Sequence, residues 1–292
     1  MPTAVVQPWW ALSASVCGAS HARTGLPNQD AVKVVQDGGG LPAILAVSDG
    51  HGSAKCFRSH VGSQLAVDAA VAALDDFATG ASEIPPEQIQ ASAALLPGAI
   101  VRRWRAAVAE HHAANPIGES ELAALEPAAA VSARQALDRG DPFLIYGATL
   151  VSALLGPTWL LCLQLGDGEI LTVSRGAAEV MQPIAVDESL IANETTSLCE
   201  RDAEQNFRLH FRMLGDSTPA LLLLATDGYP NSFETPAGFR QVASDLLGIL
   251  DQDGAESVAQ ALPGWLEESS RLGSGDDVSV AILYLPPAKE AP

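Results

Sequence analysis

The chain has 292 residues, 48% of them hydrophobic and 17% charged, a composition that builds a sizeable core and excludes an intrinsically disordered protein. Its 35 acids against 16 bases leave a net charge of −19, which argues against nucleic acid and anionic membrane surfaces as partners. The four cysteines (Cys17, Cys56, Cys162, Cys199) form no close pair, no Lys or Arg precedes Arg23, and no apolar run approaches ~18 residues, so a protein of the reducing cytoplasm is expected, without a leader or a spanning helix.

Residues 9–20 read as a strand, and residues 31–36 as a second after the turn-rich Thr24-Gly-Leu-Pro-Asn28. Asp37-Gly-Gly-Gly40 is a hairpin signal, and 41–48 is a third strand that stops at Asp49. Helical periodicity follows over 53–78 and 98–114, the latter with Ile100, Val101, Trp104 and Val108 as its apolar stripe. The Ala-rich segment 119–138 reads as a third helix. Apolar strand-like runs return at 144–155, 159–165 and 169–174, separated by Gly156-Pro157 and Gly166-Asp167-Gly168. Residues 183–204 are irregular and polar, 207–213 alternate as a half-buried strand, and 220–226 form a buried strand ending in Asp227. Helices over 236–250 and 255–270 precede a last strand, 277–285. Strands, helices, strands, helices and a final strand predict an α+β layered fold with antiparallel sheets, not a doubly wound parallel one. A single domain over 1–285 is expected, followed by a disordered proline-rich tail, 286–292.

The chemistry-bearing residues are acids at strand ends and tight turns: Asp30, Asp49, Asp167, Asp227, Asp276 and Asp277. Asp-Gly is a common turn dipeptide, so any one of them is first a turn residue. Asp49 and Asp227 stand above that reading because each terminates a buried-strand run, where a turn acid needs no apolar lead-in. Carboxylates gathered at one place repel and raise each other's pKa values unless a cation neutralises them. An all-oxygen donor set selects hard ions, Mg²⁺ or Mn²⁺ before Zn²⁺. Two such ions ~3.5–4 Å apart activate a bridging water and clamp phosphoryl oxygens for in-line displacement. His51, between Gly50 and Gly52 beside Asp49, then becomes a candidate proton donor to the leaving oxygen.

Asn28-Gln-Asp30, Val47-Ser-Asp-Gly-His-Gly52, Tyr146-Gly-Ala-Thr149, Gly166-Asp-Gly168, Ala225-Thr-Asp-Gly228 and Gly275-Asp-Asp-Val-Ser279 together resemble the ordered motif series of the type 2C, metal-dependent Ser/Thr protein phosphatases, bacterial type. The resemblance runs over roughly residues 12–285. It implies a four-layer α-β-β-α sandwich with two central antiparallel sheets and two Mn²⁺ or Mg²⁺ ions, with a weaker third, at one end. By position it implies that Asp49 bridges both metals, that the Gly50 carbonyl binds one, and that Asp227 and Asp276 bind the other. Asp30 resembles the acid that holds metal-bound water, Asp167 the ligand of the third metal, and His51 the general acid. Gly147 and Thr149 match a structural motif without catalytic duty. The activity implied is hydrolysis of phosphoserine and phosphothreonine in proteins, the products of a Ser/Thr kinase, by direct attack of a metal-bridging hydroxide. Residues 183–204 fall where family members carry a flap.

The chain departs from the family at a few positions. Gln29 stands where animal members have Glu, and Ser53 where a second glycine is usual. The family's phosphate-binding arginine falls at Gly25, which leaves Arg23, two residues away, or His21 to take that role. Two other readings compete. Cys17 with Arg23 mimics the loop of cysteine-dependent phosphatases, but no acid precedes it to protonate a leaving group, and Cys17 reads better as a small interior strand residue. A non-catalytic phosphatase-like binding module would explain the missing arginine. The intact Asp49, Asp227 and Asp276 set opposes it, since buried carboxylates without a metal are costly.

Overall fold

In the computed structural model, which describes residues 8–175, 179–185, 195–215 and 218–288, the apolar runs become two five-stranded antiparallel sheets. The chain passes through β1 (Trp10–Val16), α1 (Ala19–Thr24), β2 (Ala31–Gln36), β3 (Ala43–Ser48), α2 (Ser59–Ala81), α3 (Pro86–Ala93), α4 (Leu96–Ala114), α5 (Glu119–Ala123) and α6 (Pro127–Asp138). It continues through β4 (Leu150–Leu155), β5 (Trp159–Leu165), β6 (Glu169–Val173), β7 (Val180–Met181), β8 (Arg208–Met213), β9 (Leu221–Ala225), α7 (Pro236–Asp253), α8 (Ala255–Leu272) and β10 (Val278–Tyr284). One sheet has the order β1-β10-β9-β6-β7 and the other β2-β3-β4-β5-β8.

The period-2 alternation of strands explains the layering. In β3, Ile44 and Ala46 face the helical layer with Val67, Leu74, Ile100 and Trp104. Its Ala43, Leu45 and Val47 face the other way, into a core shared with Leu222, Leu224, Ala281 and Leu283 of the second sheet. Leu221, Leu223 and Ala225 of β9 turn outward onto Phe239, Leu246, Leu250, Leu262 and Leu266 of α7 and α8. Central strands buried on both faces need apolar residues at every position, so β3, β4 and β9 read as continuous runs. The layers are therefore helix, sheet, sheet, helix, as expected.

Several boundaries differ from the sequence reading, each for a local reason. The strand expected over 9–20 ends at Val16, because Gly18 packs against the Asp276–Asp277 backbone: a Cβ there would lie 2.4 Å from the Asp276 carbonyl carbon. The helix expected over 119–138 is two helices, restarted at Pro127, whose ring suits a first helical position and whose missing N–H ends the preceding one. Residues 142–146 form a 3₁₀ turn ahead of β4 instead of extending the strand. Helix α3, opened by Pro86 at its first position, and the two-residue β7 lay outside the sequence expectations. Of the expected irregular segment 183–204, residues 186–194 lie outside the described residues, as do 289–292 of the expected tail. Among the described residues no helix is long and apolar enough to cross a membrane.

Candidate active site

Strand register carries the acids to one end of both sheets. Ala31 of β2 pairs with Ser48 of β3, so Asp30 and Asp49 leave their strands side by side. In the other sheet Glu169 pairs with Ala225, and continuing that register carries Asp167 to Asp227. Val280 pairs with Ala225 as well, which brings Asp276 and Asp277, just before β10, to the same edge. The approach is close: a Cβ on Gly228 would lie 2.0 Å from the Asp277 carbonyl oxygen.

The Asp49 corner is fixed from below by the 146–149 segment. Thr149 N donates to Asp49 O at 2.8 Å, and Asp49 N donates to Thr149 Oγ1 at 3.1 Å. Ser48 Oγ donates to Thr149 O at 2.6 Å, and His51 N donates to Gly147 O at 3.1 Å. These contacts give Gly147 and Thr149 the structural role expected of them. Gly50 is glycine because a Cβ would come within 2.6 Å of Gln29 O and 2.7 Å of Ser59 O. Gln29, buried, ties the same corner to α2: its carbonyl accepts from Gly50 N at 3.1 Å, and its side-chain oxygen accepts from Ser59 Oγ at 3.1 Å.

The electrostatics of these acids are those of uncompensated like charges. Burial pushes the Asp49 carboxyl well above the usual carboxylate range, and the charges of Asp227, Asp30, Asp276 and Asp167 push it further. Asp30 is raised well above its ordinary value by burial and by Asp277 and Asp227, against hydrogen bonding from Thr226 and Ser279. Asp227 is pushed up to about 7 by burial and by Asp167 and Asp276. Among the described residues, no Lys or Arg is one of the leading influences on any of the three. The His51 imidazole is lowered, first by burial and then by Lys55, while Asp167 pulls it the other way.

This donor set fits hard divalent cations, since every side chain in it is a carboxylate and Asp30, Asp49 and Asp227 are destabilised as charged groups by burial and their neighbours. One group of three potential ligand side chains among the described residues has its ligand atoms within 4.8 Å of one another: His21, Asp276 and Asp277. Asp49, Asp227 and Asp276 are spread more widely than that. An ion pair ~3.5–4 Å apart spans such a wider set.

Two site residues were not foreseen from sequence in the positions they take. Asp277, merely one of the turn acids by sequence, is 2% exposed and accepts from Gly18 N, Gln29 N and the His21 ring. Thr226, in the Thr-Asp-Gly corner, donates to Asp30 Oδ2 at 2.6 Å. Arg23, the expected phosphate ligand, sits exposed on α1 with no hydrogen-bond or ion-pair partner among the described residues. Cys17 is exposed beyond the end of β1, not interior as expected. Burial of its sulfur, and then the Asp277 charge, raise its pKa, which keeps the thiol protonated and disfavours a thiolate nucleophile.

The comparisons with known proteins agree with this geometry. A profile described as Protein phosphatase 2C matches residues 17–267. No curated protein sequence matches the chain. Among solved structures, the Mycobacterium tuberculosis serine/threonine phosphatase PstP/Ppp superposes with a TM-score of 0.55 at 20% identity, over 96% of this chain and 100% of that one. The serine/threonine phosphatase Stp1 from Staphylococcus aureus superposes with a TM-score of 0.56 at 14% identity, over 98% of each chain. The PstP catalytic domain in complex with two manganese ions gives a TM-score of 0.56 at 19% identity, over 96% and 99%. These structures share the fold, and the profile spans most of the sequence: the chain belongs to the protein phosphatase 2C family, the metal-dependent protein serine/threonine phosphatases.

Proposed function

We propose that the chain hydrolyses phosphoserine and phosphothreonine in protein substrates supplied by a Ser/Thr kinase, in the cytoplasm, using two Mn²⁺ or Mg²⁺ ions and a weaker third. The observation that carries this reading is the convergence of Asp30, Asp49, Asp167, Asp227 and Asp276 on one neighbourhood in which burial and mutual repulsion dominate the carboxyls of Asp30, Asp49 and Asp227. Bound divalent ions supply charge neutralisation, a water activated toward phosphorus and a counter-charge for the phosphoryl oxygens.

The protein's own residues divide the remaining work. Asp49, at the end of a strand buried on both faces, is held rigidly enough by Thr149 to be the shared ligand, with the Gly50 carbonyl beside it. Asp227 and Asp276 would hold a second ion, and Asp167 the weaker third. Asp30, pinned by Thr226, would hold water at the site. His51 is half-buried; burial lowers its pKa, and the charge of Asp167 works against that shift in favour of the protonated ring. It delivers that proton to the leaving oxygen.

The test is hydrolysis of p-nitrophenyl phosphate and of a phosphothreonine peptide with Mn²⁺ titrated in and then chelated. Turnover that appears with the ion and vanishes with chelator is the expected result. Turnover that survives chelation removes the proposal.

A further inference from the structure

The fold gives the two ring nitrogens of His21 different surroundings. Nδ1 lies 2.9 Å from Asp277 Oδ2. The same carboxylate accepts backbone N–H groups from Gly18 at 2.5 Å and Gln29 at 2.6 Å. A buried carboxylate held from three sides is a fixed point, and it sets the plane and tautomer of the imidazole bonded to it. Because a carboxylate only accepts, Nδ1 is the donor in that bond. Nε2 is left facing the loop that carries His51: a Cβ on Gly52 would lie 3.9 Å from it. Asp276, one of the acids assigned to the metals, has a carboxylate oxygen within 4.8 Å of the His21 and Asp277 ligand atoms. The ring therefore stands beside Asp276 and Asp277, with Nε2 toward the loop that carries His51 and Gly52.

The cluster itself is rich in acceptors and short of donors. A phosphoryl group presents only acceptors, so it needs N–H or cationic partners beyond those the metals provide. Arg23 is exposed, with no hydrogen-bond or ion-pair partner among the described residues, whereas the His21 side chain is 15% exposed and oriented. Resting on the phosphatase reading above, we propose that His21 donates from Nε2 to a non-bridging phosphoryl oxygen of the substrate, with Asp277 as its positioning residue. With Nδ1 donating to Asp277, Nε2 takes its proton from the incoming phosphate monoanion and shares it back with the phosphoryl oxygen while phosphate is bound. No bond to phosphorus is made or broken by His21, and inorganic phosphate keeps the same contact until it leaves.

A purely structural tie between α1 and the start of β10 predicts something different, and two variants separate the cases. His21→Asn keeps a nitrogen near the Nδ1 position for Asp277 but has nothing that reaches phosphate. His21→Gln places an amide near the Nε2 position but gives up the bond to Asp277. With the Mn²⁺-loaded full chain, inorganic phosphate affinity is read by calorimetry, KM and kcat with p-nitrophenyl phosphate, and Tm by scanning calorimetry. The expected result for His21→Asn is a phosphate Kd and a KM raised tenfold or more, with Mn²⁺ affinity and Tm unchanged. His21→Gln should bind phosphate more tightly than His21→Asn while losing Tm. A His21→Asn protein with wild-type phosphate Kd and KM overturns the proposal, as does a loss confined to Mn²⁺ affinity, which would make His21 a metal ligand. If His21→Asn does not fold, a His21→Gln protein that folds but binds no phosphate overturns it equally. Failure of the phosphatase reading looks different: the wild-type chain would then neither turn over nor bind phosphate with Mn²⁺ present.

Discussion

Thr226 Oγ donates to Asp30 Oδ2 at 2.6 Å, and this bond joins the two sheets at the acid cluster: Thr226 follows β9, and Asp30 precedes β2 in the opposite sheet. The same hydroxyl accepts from Ser279 N at 2.9 Å, so Thr226, 1% exposed, has one donor and one acceptor role. Its bond lowers the Asp30 pKa against burial and against the charges of Asp277 and Asp227. Thr226→Val keeps the shape and removes both roles. The expected outcome is a Mn²⁺ affinity several-fold weaker, with a larger loss at pH 6 than at pH 8, because Asp30 then holds its proton to higher pH. The Ser279 N–H left without its partner costs about 1–3 kcal/mol of stability. Thr226→Ser should restore both. Titration calorimetry and chemical denaturation read the two effects separately, and equal Mn²⁺ binding by the Val variant at both pH values would disprove the coupling.

Asp227 gives a pH dependence whose sign follows from its shift. Its carboxyl is raised from the ordinary carboxylate range to about 7, by burial first and then by Asp167 and Asp276. A carboxyl that binds its proton more tightly folded than unfolded favours the fold at low pH, and that contribution is lost as pH climbs from about 4 through about 7. The chelated protein should therefore lose stability across that window, and Mn²⁺ should restore it most above pH 7. Asp227→Asn should abolish turnover yet raise the Tm of the chelated protein at pH 7.5, by about 2–4 °C for each kcal/mol of repulsion relieved. Its Mn²⁺-induced rise in Tm should shrink. A chelated Asp227→Asn protein less stable than wild type at pH 7.5 would contradict the repulsion argument.

Much of this site was legible in the sequence because it rests on strand ends, and strand ends are where hydrophobic pattern changes abruptly. Asp49 and Asp227 could be found because β3 and β9 are buried on both faces and then stop. The sandwich followed from the order of strand-like and helix-like stretches. What stayed hidden depends on contacts between residues distant in sequence. His21 and Asp277 are 256 positions apart, and nothing local distinguishes Asp277 from Asp276 beside it. Between Arg23 and His21, the substitutes the family resemblance left for its missing arginine, the sequence could not choose, because it shows that an arginine is present but not that its side chain faces solvent. The break at Pro127 was readable in principle, since a proline inside an Ala-rich run restarts a helix.

His51 tests the proton-donor role through the leaving group. It is half-buried, and burial lowers its pKa while Asp167 opposes that shift. An acid that protonates the leaving oxygen matters most when that oxygen is basic. His51→Ala should slow phenyl phosphate hydrolysis by about 10²–10⁴, and p-nitrophenyl phosphate, with its better leaving group, much less. Mn²⁺ affinity should be unchanged. If both substrates slow by the same factor, His51 is not the donor.

Gly147 offers an independent way to move His51 without touching its chemistry. A Cβ at this position would lie 2.8 Å from His51 Cδ2 and 3.2 and 3.3 Å from the sulfurs of Cys199 and Cys56. No real Cβ sits as close as 2.8 Å, so in Gly147→Ala the imidazole must rotate or shift, and the two thiols must give as well. The Asp49 corner hangs from Thr149 and not from this site, through the bonds Thr149 N to Asp49 O and Asp49 N to Thr149 Oγ1. The acids therefore keep their positions while the ring loses its own. The variant should bind Mn²⁺ as wild type does, lose kcat with phenyl phosphate by about tenfold or more, and keep most of its rate with p-nitrophenyl phosphate, because misplacing a catalytic group by about 1 Å costs on the order of 10²-fold. A stability loss of about 1–3 kcal/mol from overpacking is expected alongside. If Gly147→Ala instead weakens Mn²⁺ binding with no selectivity between leaving groups, then His51 and the metal ligands are not held by separate segments, and the division of labour between Gly147 and Thr149 is wrong.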